Sequence, residues 1–108
     1  MNKNIQVFKA ILTTKGRKTG KDHSVLLRAV QYNDRIYFSR HELDGDWFQN
    51  AIVNPQVKVE FSNTSYSGNA KRITDEDLTK KISRLKYPGE QRANEKRVVL
   101  EVTLCEQL

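Results

Sequence analysis

The chain has 108 residues with a single cysteine, and it carries a formal net charge of +6. A chain of this length forms one domain with a modest core, so residues 1–108 are expected to fold as a single unit. One cysteine excludes a disulfide framework, and no apolar run approaches the length of a bilayer span or a signal peptide, which together indicate a cytoplasmic protein. The positive charge would attract nucleic acid, anionic lipid or a phosphorylated small molecule, and it does not choose among them.

The first part of the sequence predicts three strands. Residues 7–14 form a β-rich run that ends before Gly16. Residues 24–32 have apolar side chains on both faces, which indicates a central strand. The pair Asn33-Asp34 then forms a two-residue turn into Arg35–Arg40, so an antiparallel hairpin is expected here.

A short helix is expected in the middle of the chain. Asp46 is its expected N-cap, and the helix should end near Asn54 because Pro55 prevents its continuation. Residues three apart are neighbours on a helix, so Trp47 and Asn50 are expected on the same side. The helix is too short to be stable alone, and packing must hold it.

The second half predicts a hairpin followed by another helix. Residues 57–61 alternate apolar and charged side chains, which is typical of a half-buried strand. After a turn at Asn63-Thr64 comes a weaker strand at 65–73, in which Gly68 indicates a bulge or a close backbone approach. Residues 74–77 resemble a capping box that begins a helix ending at about residue 86.

A last strand at 97–105 carries four apolar side chains on one face. With it the sequence predicts six strands, most of them in hairpin order, and two short helices. Tight turns favour antiparallel pairing, and closing the sheet removes exposed strand edges. The expected fold class is therefore mainly β (α+β), a small six-stranded antiparallel barrel.

The segment 15–22 is the candidate functional loop, because it contains four cations, two glycines and one acid. Glycines let backbone N–H groups turn toward a ligand, while arginine and lysine donate charge-assisted hydrogen bonds to phosphate. The loop is therefore predicted to hold the phosphate end of a cofactor. A solvated basic hairpin tip is the structural alternative.

Other chemistries find little support in the sequence. His23, His41 and Cys105 lie far apart and have no metal-ligand spacing, so no metal site is predicted. Lys21 is not followed by the Ser or Thr that a P-loop needs for Mg²⁺, and no nucleophile elbow or dinucleotide fingerprint is present.

Several candidate residues could form one anion-binding site if they lie at the same end of the barrel. By itself Trp47 is more typical of a core residue, and Arg40 of an exposed one. However, the basic loop, the strand end at Ser39-Arg40 and the start of the Trp47 helix could all lie at the same end. The helix N-terminus would add a favourable partial positive charge for an anion there.

Three segments carry a family resemblance. Residues 12–20 read LTTKGRKTG, residues 46–50 read DWFQN, and residues 54–59 read NPQVKV. In this order and spacing they resemble the deazaflavin-dependent nitroreductase family, and the similarity extends over nearly the whole chain from about Phe8. The resemblance implies a split β-barrel related to the FMN-binding pyridoxamine-phosphate-oxidase fold, with coenzyme F-420 or another flavin-like cofactor.

The resemblance also implies roles for individual residues. Arg17, Lys18 and Thr19 match the phosphate-binding loop, residues 24–26 match a strand whose backbone runs beside the deazaflavin ring, and Tyr87 matches a substrate-side tyrosine. His23 stands where characterised nitroreductases carry Arg. Leu26 stands where they commonly carry Pro. The full set of expected cofactor-binding residues is Lys15, Arg17, Lys18, Thr19, Gly20, His23, Ser24, Val25, Leu26, Ser39, Arg40, Trp47 and Asn50.

The leading functional interpretation is an oxidoreductase in which reduced F-420 supplies a hydride to a quinone-like, nitro or other conjugated small-molecule acceptor. No catalytic side chain is predicted. One alternative is an FMN-binding split-barrel reductase. Another is a basic module without enzyme activity, which would bind nucleic acid or carry a cofactor; it ranks last because aromatic residues do not interleave with the basic ones. A homodimer is possible, and neither a membrane nor a specific nucleic acid is an expected partner.

Overall fold

A computed structural model of the protein describes residues 6–40, 46–86 and 98–108. The elements are β1 (Gln6–Lys15), β2 (Asp22–Tyr32), β3 (Arg35–Arg40), α1 (Asp46–Val53), β4 (Gln56–Phe61), β5 (Thr64–Ile73), α2 (Glu76–Lys86) and β6 (Val98–Gln107). The strands pair antiparallel in the order β1-β2-β3-β6-β5-β4 and close into a barrel. The predicted six-stranded antiparallel barrel with two helices is thus confirmed.

Two tight turns set the register of the hairpins. Asn33 and Asp34 have φ angles of 53° and 63°, and Ser62 and Asn63 have φ angles of 52° and 60°. Positive φ at both central residues is the mark of a type I′ turn, whose twist matches that of the strands. The first turn is where the sequence predicts it, and the second begins one residue earlier than expected.

The barrel interior is filled by alternate side chains of the strands and is closed at one end by α1. Phe48 and Ala51 of this helix are fully buried, and Trp47 is 8% exposed. The Trp47 ring contacts those of Phe38 and Phe48 edge-on, with centroids 6.3 and 5.8 Å away. Burying a phenylalanine contributes about 1.5–3 kcal/mol, so packing fixes the position of this short helix.

Helix α2 covers the outside of the barrel over β2, β3 and β6. Its Ile82 packs into a second buried cluster with Val30, Tyr37 and Val99. Within the predicted capping segment the N-cap is Asp75, whose Oδ1 accepts hydrogen bonds from the backbone N–H groups of residues 77 and 78 at 2.9 and 3.2 Å. In the described ranges, no helix is long and apolar enough to cross a membrane.

Gly68 has both of the features that its place in a strand suggests. The register between β5 and β6 shifts at Ser67/Gly68, which is a bulge. A Cβ at Gly68 would lie 2.7 Å from Val102 Cγ1, closer than real carbon atoms approach. The bulge therefore bends β5 against β6 at a point where only glycine fits.

Strand β2 is only partly paired on the side of β3 in the described part of the chain. It pairs with β1 from Asp22 to Gln31, whereas it pairs with β3 only through Val30, Gln31 and Tyr32. Among the described strands, residues 22–29 therefore have a neighbour on one side alone. The sequence predicts a central strand with apolar side chains on both faces, whereas in the closed order β2 lies between β1 and β3 and its outward face is not buried, since Leu26 is 59% exposed.

Candidate functional site

A cleft of about 430 Å³ lies where the loop after β1, the start of β2 and helix α1 meet. This volume is within the range of small-molecule sites. The lining residues are Gly16, Arg17, Lys18, Thr19, His23, Ser24, Val25, Trp47 and Asn50. Eight of these nine were expected to bind a cofactor, and Gly16 lies within the predicted loop. We call this space the β2–α1 cleft.

The loop at one end of the cleft is closed by its own hydrogen bonds. Gly16 N donates to the Lys21 carbonyl oxygen at 2.7 Å, and Gly20 N donates to the Gly16 carbonyl oxygen at 2.9 Å. Gly20 has a φ of 74°, which glycine adopts without strain. Lys21 N also donates to Thr19 Oγ1 at 3.2 Å. The turn therefore presents residues 17–19 as one bend.

Helix α1 clamps this loop through two asparagines. Asn50 Oδ1 accepts hydrogen bonds from Arg17 Nη1 at 2.7 Å and from Arg17 N at 3.2 Å. One turn later, Asn54 Nδ2 donates to the Lys15 carbonyl oxygen at 3.4 Å. Asn50 is only 4% exposed, so the core holds the acceptor that orients Arg17. Sequence reasoning missed Asn54, although its spacing of four residues from Asn50 places both on one helix face.

Gly16 makes room for two polar side chains of the cleft. A Cβ at this position would lie 2.9 Å from both His23 Nε2 and Thr19 Oγ1. The imidazole and the hydroxyl therefore occupy the space that any other residue would fill. Steric space therefore explains why residue 16 is a glycine. Backbone conformation does not, because among the described glycines Gly20 alone has a positive φ.

The lining of the cleft is cationic at the loop and more apolar near Val25 and Trp47. The loop contributes the cations of Arg17 and Lys18, while Val25 and the Trp47 indole supply apolar surface. Lys15 and Lys21 are exposed nearby and add positive charge. The arrangement suits an elongated ligand that has an anionic end and a flat, mainly apolar ring.

Several expected site residues lie elsewhere. Lys15 lines a second cleft of about 570 Å³ beside the end of β1. Leu26 points outward from β2, and Gly20 shapes the loop without lining the β2–α1 cleft. Ser39 is buried under α2, where Lys86 Nζ donates to both its carbonyl oxygen and its hydroxyl at 3.1 Å.

Three expectations fall outside what the structure describes. Tyr87, the expected substrate-side tyrosine, is not among the described residues, and neither are the side chains of Arg40 and Asp46. The backbone of Arg40 pairs with Val98 at the end of β3. Helix α1 begins at Asp46, as the sequence indicates.

The closed antiparallel barrel with an open flank at β2, and a cationic cleft on that flank, define the class as a split-barrel binding protein. A family model described as F-420H(2)-dependent quinone reductase matches residues 3–107. The chain therefore belongs to this family, which makes it an F-420-dependent reductase. The resemblance to deazaflavin-dependent reductases is confirmed, with the quinone reductases as the matching family.

Solved structures support the fold. An F-420-H2 dependent reductase, FDR-A, superposes with a TM-score of 0.69 at 23% identity, over 87% of this chain and 92% of that one. A conserved hypothetical protein from Mycobacterium tuberculosis gives a TM-score of 0.73 at 16% identity, over 92% and 74% of the two chains. A pyridoxamine 5'-phosphate oxidase-like protein from Listeria innocua gives 0.68 at 16% identity, over 93% and 86%. No curated protein sequence matches the chain significantly.

Proposed function

We propose that the chain binds coenzyme F-420 in the β2–α1 cleft and transfers its hydride to a quinone-like, nitro or other conjugated acceptor. Arg17, Lys18 and Thr19 would hold the phosphate, and β2 and Trp47 would hold the ring. The observation that carries the proposal is the clamp between Asn50 and Arg17, because it orients a guanidinium at one end of a cleft to which Val25 and Trp47 contribute apolar surface.

The cationic end is sufficient to retain a phosphate. A charge-assisted hydrogen bond contributes about 1.5–3 kcal/mol net, and two or three of them support binding in the micromolar range. Arg17 is already held by the buried Asn50, so little side-chain freedom is lost when an anion arrives. The loop is thus suited to hold a ligand tightly at its charged end.

The open flank of β2 suits the ring. At Ser24 and Val25 this strand has one strand neighbour among the described elements, so backbone groups on its other side make no ladder hydrogen bond there. Ser24 and Val25 line the cleft on this stretch. Backbone groups of these two residues can hydrogen-bond the polar edge of a flat heteroaromatic ring, and the apolar surface beside them keeps its faces dry.

When bound, the reduced deazaflavin supplies the hydride, so no protein nucleophile is needed. The chain's own contribution is to bind and orient. Arg17 fixes one end of the ligand, and Trp47 and Val25 exclude water from the other. The acceptor would approach the exposed face of the ring, where Tyr87 is the residue expected from the sequence.

The proposal is tested by titrating the protein with F-420 and following its fluorescence. The double variant Arg17→Ala/Lys18→Ala should weaken binding about 100-fold, since it removes about 3 kcal/mol of charge-assisted contacts. The matched control is Lys71→Ala/Arg72→Ala, which removes the same charge from exposed positions on β5 and should leave the affinity unchanged. Equal weakening by both variants, or no binding by the native chain, contradicts the proposal.

The same titration separates the other interpretations. FMN is added as a competing ligand, and tighter binding of FMN than of F-420 would favour the flavin reductase instead. A basic nucleic-acid module would instead bind DNA of any sequence with an affinity that falls steeply with salt. A homodimer also stays a prediction, and light scattering during gel filtration gives the mass that decides it.

A further inference from the structure

His23 occupies an unusual place in the β2–α1 cleft. It stands at the start of β2, pairs with Thr14 of β1, and its side chain lines the cleft beside the cationic loop. The Nε2 atom packs against Gly16, at 2.9 Å from where a Cβ would lie. A specific close approach therefore holds the imidazole at the charged end of the cleft, although the residue is solvent-exposed.

The groups around this imidazole are mostly cationic. The loop contributes Arg17 and Lys18 to the same cleft, and the exposed Lys15 and Lys21 flank them. Asp22 is the nearby carboxylate, and it lines the second cleft instead. From α1 come the neutral side chains of Trp47 and Asn50, and from β1 the neutral Thr14.

An anion bound between the cations reverses the local potential and favours the protonated imidazole. Histidine is the side chain whose charge changes between pH 5 and 8. Binding of an anion therefore takes up a proton within that range, and by linkage the affinity must rise as the pH falls.

We propose that His23 is a titrating contact for the phosphate of the bound coenzyme, so that low pH strengthens the hold of the cleft on its anionic end. This inference rests on the proposed function. A protonated imidazole donates one charge-assisted hydrogen bond to the phosphate, whereas the neutral ring does not attract it by charge. Because His23 is exposed, water screens the contact, and the expected gain is about threefold to tenfold in affinity.

The experiment compares two ligands from pH 8.5 to pH 5.5: F-420 and the deazaflavin chromophore without its phosphate-containing chain. Ionisation of the ring is common to both ligands and cancels in the ratio of their dissociation constants. In the native chain this ratio should shift in favour of F-420 by about threefold to tenfold as the pH falls. His23→Gln should abolish the shift, and His23→Arg should hold the ratio near its low-pH value throughout.

The control is Lys71→Gln, which removes a charge from an exposed position on β5 and should keep the pH dependence. If F-420 binds and the ratio is flat in the native chain, or shifts equally in His23→Gln, the inference is wrong and the proposed function stands. If F-420 binds at no pH, the proposed function fails, and the histidine contact is then tested with inorganic pyrophosphate.

That test uses the imidazole signals in the NMR spectrum. With two histidines in the chain, His23→Gln removes one signal and assigns it. Pyrophosphate should shift the protonation of the His23 signal to higher pH. An unchanged His23 signal overturns the inference independently of the coenzyme.

Discussion

Asn50 couples the stability of the barrel to the affinity of the cleft, and two substitutions separate these effects. Asn50→Ala removes the acceptor of two Arg17 hydrogen bonds, at 2.7 and 3.2 Å. A bond to a charged group and one to a backbone amide contribute about 2–3 kcal/mol together, and the better helix propensity of alanine offsets about 0.5 kcal/mol. The net loss of about 2 kcal/mol lowers the melting temperature by roughly 8 °C for a domain of this size.

Asn50→Asp keeps the oxygen that accepts from Arg17 and adds a negative charge beside the expected phosphate. We expect its melting temperature to stay within about 2 °C of the native value, since the hydrogen bonds remain and the ion pair offsets the cost of burying the carboxylate. Coenzyme affinity should nevertheless fall about tenfold or more, because the carboxylate competes with the phosphate for the guanidinium.

Thermal unfolding and fluorescence titration with F-420 measure the two effects on the same samples. We expect Asn50→Ala to lower both the melting temperature and the affinity for F-420. We expect Asn50→Asp to lower the affinity alone. If Asn50→Asp binds F-420 as tightly as the native chain, Arg17 does not contact the anionic end. If Asn50→Ala is as stable as the native chain, the clamp contributes nothing to the fold.

Four further substitutions test the fold. Gly68→Ala should lower the free energy of unfolding in urea by about 1–3 kcal/mol, because the added Cβ meets β6. Gly20→Ala has open space around its Cβ but a φ of 74°, and it should lower this free energy by about 1 kcal/mol. Equal losses would refute the steric explanation. Asp75→Ala should lose about 1 kcal/mol and leave F-420 binding unchanged, and altered binding would show that α2 reaches the cleft. Burial and the 2.8 Å hydrogen bond to Glu101 raise the pKa of Tyr37, so its contribution to stability is present below pH 10 and is lost at higher pH. Ultraviolet titration should therefore show one late phenol that Tyr37→Phe removes.

Local sequence signals predicted the elements well because each has a short-range physical cause. The Asn-Asp pair adopts positive φ, a glycine in a strand marks a bulge, and alternation fixes which face is buried. The basic glycine-containing loop was also recognised from composition, and the structure places it at a cleft with Trp47 and Asn50. These signals need no knowledge of which distant segments meet.

Contacts between distant segments were harder to foresee. Ser39 was expected to face the cofactor, yet Phe38 points into the barrel, so strand alternation places Ser39 on the opposite face under α2. Its partner Lys86 lies 47 residues away in sequence, and no local pattern reports that pairing. The bond from Asn54 to the Lys15 carbonyl likewise depends on how α1 docks against the end of β1.

The position of the cleft follows from how the barrel is closed. Trp47, Phe48 and Ala51 must be buried to fill the end of the barrel, and this places Asn50 against the loop without any separate device. The site is therefore ordered only when the core is ordered, and a ligand in it binds the folded state alone. At a concentration 100 times its dissociation constant, such a ligand adds about 2.7 kcal/mol to the stability. We therefore expect a substitution at Phe48 that displaces α1 to weaken F-420 binding, although Phe48 does not line the cleft.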